Sequence, residues 1–305
     1  MYERRHLERE LSDLGLTSER SGEVIGEDTR HKVANSLAVP FRWICRVVAT
    51  QANGDSSVGT GVLIGPRHVL TCAHVIYPVD DNGRPRFRTR SIEVFPAENG
   101  GEEPLGGFRA NGWTVHRQWF AGQEVNCTFD YGLIRLKDDI GAETFRALRG
   151  RPLGFWGSPT DGHGTRFARV DPATLVNQTV TLAGYPYRKG LNELAARVMK
   201  EGSGRITGSA LLNRCTEKRF VGRFLPRVEP TWRVLLHDTD TSPAQSGCPV
   251  WTRDGQGRLD LIGLHQGQLK SSTPVNGATT VNLALRITRE FLRQVELWRS
   301  TFVEG

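Results

Sequence analysis

The chain has no apolar run near the roughly 18 residues that a membrane-crossing helix needs, which excludes a transmembrane helix. Its first residues, Met1-Tyr2-Glu3-Arg4-Arg5-His6-Leu7, contain no apolar signal core, so the expected location is the cytoplasm. Cysteine is scarce. Cys45, Cys72, Cys127, Cys215 and Cys248 are odd in number and lack paired spacing, which predicts reduced, mostly buried thiols rather than a disulfide framework. The metal-like pair Cys72-Ala73-His74 has no third and fourth ligand at a usual spacing, so no metal and no cofactor are expected. Low-complexity tracts and internal repeats are also missing. The formal charge of +7 comes from scattered residues, densest at Arg84, Arg86, Arg88 and Arg90, whose alternation suggests one wet face of a strand. No aromatic interleaving accompanies the charge, so neither nucleic acid nor a membrane is an expected partner.

What is there is a long series of short β-type runs. With 305 residues the chain can bury a large core or two domains. Residues 2–16 place Leu7, Leu11 and Leu14 at helical spacing, which predicts a short amphipathic helix, and 17–35 read as an extended segment. Strand-like runs follow at 43–49, 61–64, 91–95, 133–136, 179–183, 234–237, 249–251 and 261–265, broken by Gly, Pro, Asn and Asp. Such spacing points to an all-β barrel or sandwich. Ile287, Phe291, Val295 and Trp298 form one helical stripe that should pack on the β body. Residues 141–165, rich in Gly, Pro and Thr, look like a linker between two halves.

Three of these runs end on chemistry-bearing residues. Val69-Leu70-Thr71-Cys72-Ala73-His74-Val75 carries a histidine, Phe129-Asp130-Tyr131-Gly132 an aspartate, and Gln245-Ser246-Gly247-Cys248-Pro249 a serine. A serine hydroxyl is a poor nucleophile until a base takes its proton. A histidine does so when a buried carboxylate fixes its tautomer and supports the imidazolium. The order His74, Asp130, Ser246 is one of several in which this constellation recurs, so the order itself is informative.

These segments resemble the bacterial glutamyl endopeptidases, which are chymotrypsin-fold serine proteases. The likeness extends to Val24-Ile25-Gly26-Glu27-Asp28-Thr29-Arg30-His31-Lys32-Val33, similar to their mature start, and to Gly59–Pro66, Ala183–Pro186 and Arg286–Phe291. It implies two six-stranded antiparallel β-barrels with a C-terminal α-helix, the site lying in the cleft between them. The division expected is a helical extension or prosegment over 1–23, a first barrel over 24–145 with His74 and Asp130, and a second over 146–305 with Ser246. The resemblance further implies a protein or peptide substrate cut after glutamate. Thr241, His265 and the α-amino group of Val24 would contact the glutamate carboxylate, which needs compensating donors when it leaves water.

The sequence departs from that family pattern at Ala244, at Cys248 in place of a serine or glycine, at Thr60 and Val75 in place of a cysteine pair, and at the N-terminus. The residue two before the serine, whose N–H should join that of Ser246 in the oxyanion hole, is Ala244 rather than glycine. If the position needs φ > 0, alanine adds strain of roughly 1 kcal/mol. The N-terminal departure is a short charged stretch, read either as a prosegment or as a segment that docks a partner protein through residues 1–16. Two alternatives stay open: a catalytically weak or silent protease-like binding module, and a trypsin-like protease of other specificity.

Overall fold

In the computed structural model the described residues are 16–19, 24–25, 27–79, 88–120, 126–158, 164–167, 170–187, 197–216, 219–225, 227–228, 230–275 and 278–301. For 16–19, 212–216, 219–225, 269–275 and 278–279 only the backbone is described. The first barrel is built from β1 (Ile44–Gln51), β2 (Ser56–Gly65), β3 (His68–Thr71), β4 (Thr89–Pro96), β5 (Phe108–Val115) and β6 (Gly132–Leu136). It closes antiparallel in the order β1-β2-β3-β6-β5-β4. The second uses β7 (Thr179–Gly184), β8 (Lys200–Thr216), β9 (Val234–His237), β10 (Pro249–Arg253), β11 (Leu259–Val275) and β12 (Ala278–Arg286). It closes along the same path, β7-β8-β9-β12-β11-β10. The fold is therefore duplicated in hydrogen-bond topology, although the sequence shows no repeat.

The strands form where β-branched and aliphatic residues alternate or run together. β1 reads Ile-Cys-Arg-Val-Val-Ala-Thr-Gln with alternate positions buried, and β3 is buried throughout. Sequence patterning alone does not predict β5, β8 and β12. β5 is largely half-buried and reads Phe-Arg-Ala-Asn-Gly-Trp-Thr-Val, and β8 carries Gly202, Gly204 and Gly208, which interrupt its apolar pattern.

The helix predicted over 2–16 lies outside the described residues except for Leu16. Leu16 begins a strand rather than ending a helix, and Thr17–Glu19 continue it as the extended reading of 17–35 expects; Leu16–Glu19 pairs antiparallel with Gln268–Ser271 of β11. The predicted arginine-rich stretch at 84–90 lies outside the described residues up to position 87. A four-residue turn of helix, α1 (Ala73–Ile76), follows β3, and α2 (Arg289–Thr301) closes the chain. Phe291, Val295 and Trp298 of α2 are buried, as is Ile287 just before it, so the stripe packs as the spacing predicts.

The seam between the barrels is cross-linked. Leu148, Leu153 and Trp156 of the expected linker are buried, while most of 142–152 is exposed. Trp156 lies between Trp43 of the first half, edge-on, and Trp251 of the second, tilted, with ring centroids 6.2 and 5.8 Å apart. The indole N–H of Trp43 donates to Leu153 O at 2.8 Å. Glu98, fully buried, takes guanidinium hydrogen bonds from Arg46 and from Arg197, one from each half. A buried carboxylate held this way tolerates loss of neither cation well.

Candidate active site

His74 lies on α1, the single helical turn that follows β3. Asp130 sits at the end of a short 3-10 turn, Cys127–Phe129, before β6. β3 and β6 are neighbours, with Thr71 opposite Gly132, so the two side chains leave adjacent strand ends. Gly132 permits this approach, because a Cβ there would lie 2.6 Å from Thr114 O. Asp130 is buried and holds the histidine twice: Oδ2 meets Nδ1 at 2.6 Å, and Oδ1 accepts the backbone N–H of His74 at 3.0 Å. The second bond fixes the main chain as well as the ring. Nε2 makes no hydrogen bond among the described residues, which leaves it open toward the cleft.

Ser246 arrives from the other barrel on the loop before β10. Thr60 N–H of β2 donates to Ser246 O at 2.9 Å, and Thr60 Oγ1 donates to Ala244 O at 3.0 Å while accepting Tyr185 N–H at 3.1 Å. Gly247 has φ +85°, and a Cβ there would lie 2.1 Å from Thr60 O and 2.3 Å from Thr71 Oγ1. Only glycine lets this loop press against the strand ends that carry His74. Ser246 Oγ donates to Gln266 O at 3.2 Å, and Gln266 in turn donates its amide to Cys127 O at 2.7 Å, beside the aspartate turn. Ala244 adopts φ +68°, so the left-handed geometry anticipated for that position is present. Among the described residues the N–H groups of Ala244 and Ser246 have no partner, leaving two adjacent donors free.

Behind the serine, Thr241 is fully buried and donates to Asn282 Oδ1 at 2.8 Å, while Asn282 donates to Thr239 O. His265 is fully buried on β11, its Nδ1 3.4 Å from Nε2 of His237 at the end of β9. Among the described residues His237 Nδ1 and His265 Nε2 have no hydrogen-bond partner within hydrogen-bonding geometry. Burial drives both rings to stay neutral. His237 falls to about 3, and His265 falls well below the ordinary value, with His237 and then His74 and Arg30 adding to the burial effect. His237 and Asn282 were not singled out from sequence. His237 ends a regular apolar run, Val-Leu-Leu-His, that reads simply as a strand, and only the closure β9-β12-β11 brings it beside His265.

Val24 is half-buried, and the next residue, Ile25, donates its N–H to Asp240 Oδ1 at 2.7 Å. Asp240, adjacent to Thr241, also accepts Thr29 N–H and Oγ1. The cysteines depart from expectation at one position. Cys45, Cys72 and Cys248 are free and buried, but Cys127 is disulfide-bonded, a pairing that spacing along the chain does not reveal. The donor atoms of Cys72, His74 and Asp130 lie within 4.8 Å of one another, so the cysteine–histidine pair does have a third potential ligand, supplied by a distant segment. The Cys72 thiol faces His265 O at 3.3 Å.

The profile of the trypsin-like peptidase domain matches residues 59–264. The chain belongs to the trypsin-like peptidase family. It is a serine peptidase, a hydrolase acting on peptide bonds. A glutamyl endopeptidase of Bacillus licheniformis is 27% identical over 280 residues, covering 91% of this chain and 69% of that protein. An extracellular metalloprotease of Bacillus subtilis is 22% identical over 276 residues, covering 90% of this chain and 69% of its own length. Among solved structures, a Glu endopeptidase in complex with MPD superposes with a TM-score of 0.59 at 20% identity, covering 91% of this chain and 100% of that one. A thermostable serine protease, AL20, gives 0.52 at 16% identity, covering 86% and 98%.

Proposed function

We propose that this peptidase cuts after glutamate with His74, Asp130 and Ser246 as its triad. The observation that carries the reading is the doubly bonded His74–Asp130 pair, with a serine loop pressed through Gly247 against Thr60 and against Thr71 at the end of the strand that leads to His74. In the attack, Ser246 Oγ leaves the Gln266 carbonyl and gives its proton to Nε2. Asp130 steadies the imidazolium, and the N–H groups of Ala244 and Ser246 receive the charge developing on the substrate oxygen. His74 then returns the proton to the leaving amine. His265, with His237 behind it, supplies imidazole for the carboxylate, and Thr241 adds its hydroxyl when that proton turns from Asn282 Oδ1 to the substrate. With His265 Nδ1 and His237 Nε2 facing each other, one ring donates to the other, so the neutral pair offers a carboxylate one N–H, and a second only on taking up a proton. Val24 contributes once chain cleavage after Glu23 frees its amine. Residues 1–23 are then a prosegment. The strand Leu16–Glu19 on β11 supports that role, because Glu19 lies opposite Gln268, two residues past Gln266, on an edge where an extended peptide can add.

The test is covalent labelling by a fluorophosphonate followed by a cleavage profile on a peptide library. Wild type is expected to take up the probe, Ser246→Ala and His74→Ala to take up none, and the profile to be led by glutamate. No labelling, with or without residues 1–23, would favour a silent binding module. A profile led by arginine or large apolar residues would eliminate glutamate specificity.

A further inference from the structure

The loop that presents Ser246 is held by a residue more than two hundred positions away. Arg30 is buried, and all three guanidinium nitrogens are engaged. Nε and one terminal nitrogen grip Asp28 at 2.8 and 2.9 Å. The other terminal nitrogen donates to Ser242 Oγ at 2.6 Å and to Gln245 Oε1 at 2.7 Å. Gln245 Oε1 also accepts Ser242 N–H at 3.0 Å, and Gln245 N–H donates to Ser242 O at 3.2 Å. Room for the arginine stem comes from Gly202, where a Cβ would lie 3.0 Å from Arg30 Cγ. Ser242 and Gln245 bracket Pro243 and Ala244, and Ala244 is the residue at φ +68°. An L-residue left to itself moves out of that region, because its Cβ crowds the following carbonyl.

We propose that Arg30 is a positioning residue for the oxyanion loop. By clamping Ser242 to Gln245 it keeps Ala244 in the left-handed conformation that turns its N–H toward the site. The brace is made by a side chain, so it forms in the uncut chain and does not wait for a new N-terminus. Asp28 completes it: the neighbouring guanidinium pulls that carboxyl down to about 2, keeping it ionised at any pH where a peptidase of this type works. Lysine in place of Arg30 has one ammonium and cannot span Asp28 and both loop acceptors.

The inference rests on Ser246 as nucleophile, so the experiment begins by labelling wild type with a fluorophosphonate. Absence of label overturns the Ser246 assignment, and this inference with it. Arg30→Ala and Arg30→Lys are then measured on the best library peptide, with melting temperature recorded beside kcat and KM. Arg30→Ala is expected to lower kcat about 10²-fold, the scale of one lost oxyanion donor, with KM changed less than threefold. Millimolar guanidinium should restore part of that kcat. The decisive arm is Ala244→Gly, because glycine holds φ > 0 without a clamp. It should raise kcat at least tenfold in the Arg30→Ala background and less than threefold when Arg30 is present. If Arg30→Ala does not fold, the Arg30→Lys background carries the same comparison. Equal effects of Ala244→Gly in both backgrounds, or variants that melt earlier with unchanged kcat, would reduce Arg30 to a structural role.

Discussion

At the scale of single residues, His237 and His265 separate this pocket from a bland strand end. Each ring is neutral when the pocket is empty, because burial penalises its charged form. Under the proposed glutamate specificity, a substrate carboxylate beside the rings would raise their affinity for a proton, so binding glutamate would take up a proton that binding glutamine does not. The ratio of kcat/KM for glutamyl over glutaminyl peptides should rise several-fold from pH 8 to pH 6. Taking the ratio cancels any pH dependence that the two substrates share. A ratio flat with pH would mean that neutral donors alone hold the carboxylate. Much of this site was legible in sequence: Ser246, His74 and Asp130 each stand in a distinctive local context, and Ala244 was marked by the glycine it replaces. Gln266, His237 and Arg30 were not, because their roles come from partners 20 to 215 positions away and leave no local signature.

Among the elements, α2 connects the end of the chain to the aspartate. Phe291 lies with its ring centroid 4.2 Å from that of Tyr131, and Trp298 lies 5.4 Å from the same ring. Tyr131 is bonded in sequence to Asp130. Phe291→Ala should destabilise the protein by about 3–5 kcal/mol, the usual range for a deleted core aromatic. It should also depress kcat, because Tyr131 loses the surface that fixes its place. Leu297→Ala, on the exposed face of the same helix, should stay within about 0.5 kcal/mol of wild type in a denaturant melt. Equal melts for the two variants would show that the helix is only an appendage. The stripe that makes α2 was readable from its spacing alone. The extended backbone of Thr17–Glu19 was also readable, but its pairing with β11 was not, because no alternation of its own marks a partner.

For the whole molecule, four histidines share one property. His68 and His116 are held at about 4 and His237 at about 3, and His265 lies well below its ordinary value, with burial the leading cause for each. In the unfolded chain all four titrate near 6.5. Between these limits the unfolded state binds more protons, so stability rises with pH there. Full stability is present above about 6.5 and is lost progressively as pH falls toward 4. The two fully buried rings alone contribute on the order of 1 kcal/mol each per pH unit. The melting temperature should drop steeply from pH 7 to pH 5, and His237→Gln should flatten the curve. A melting temperature constant over that range would mean that water reaches the rings.

Thr60 carries a consequence of another kind. The hydroxyl of this one residue of the first barrel accepts a hydrogen bond from Tyr185 N–H and donates one to Ala244 O, both of the second, while its amide donates to Ser246 O. The serine loop is thus seated on the half that carries His74 and Asp130, and with the proposed triad neither half alone holds all three residues. A peptidase arranged in this way stays harmless to neighbouring chains until its own assembly is finished.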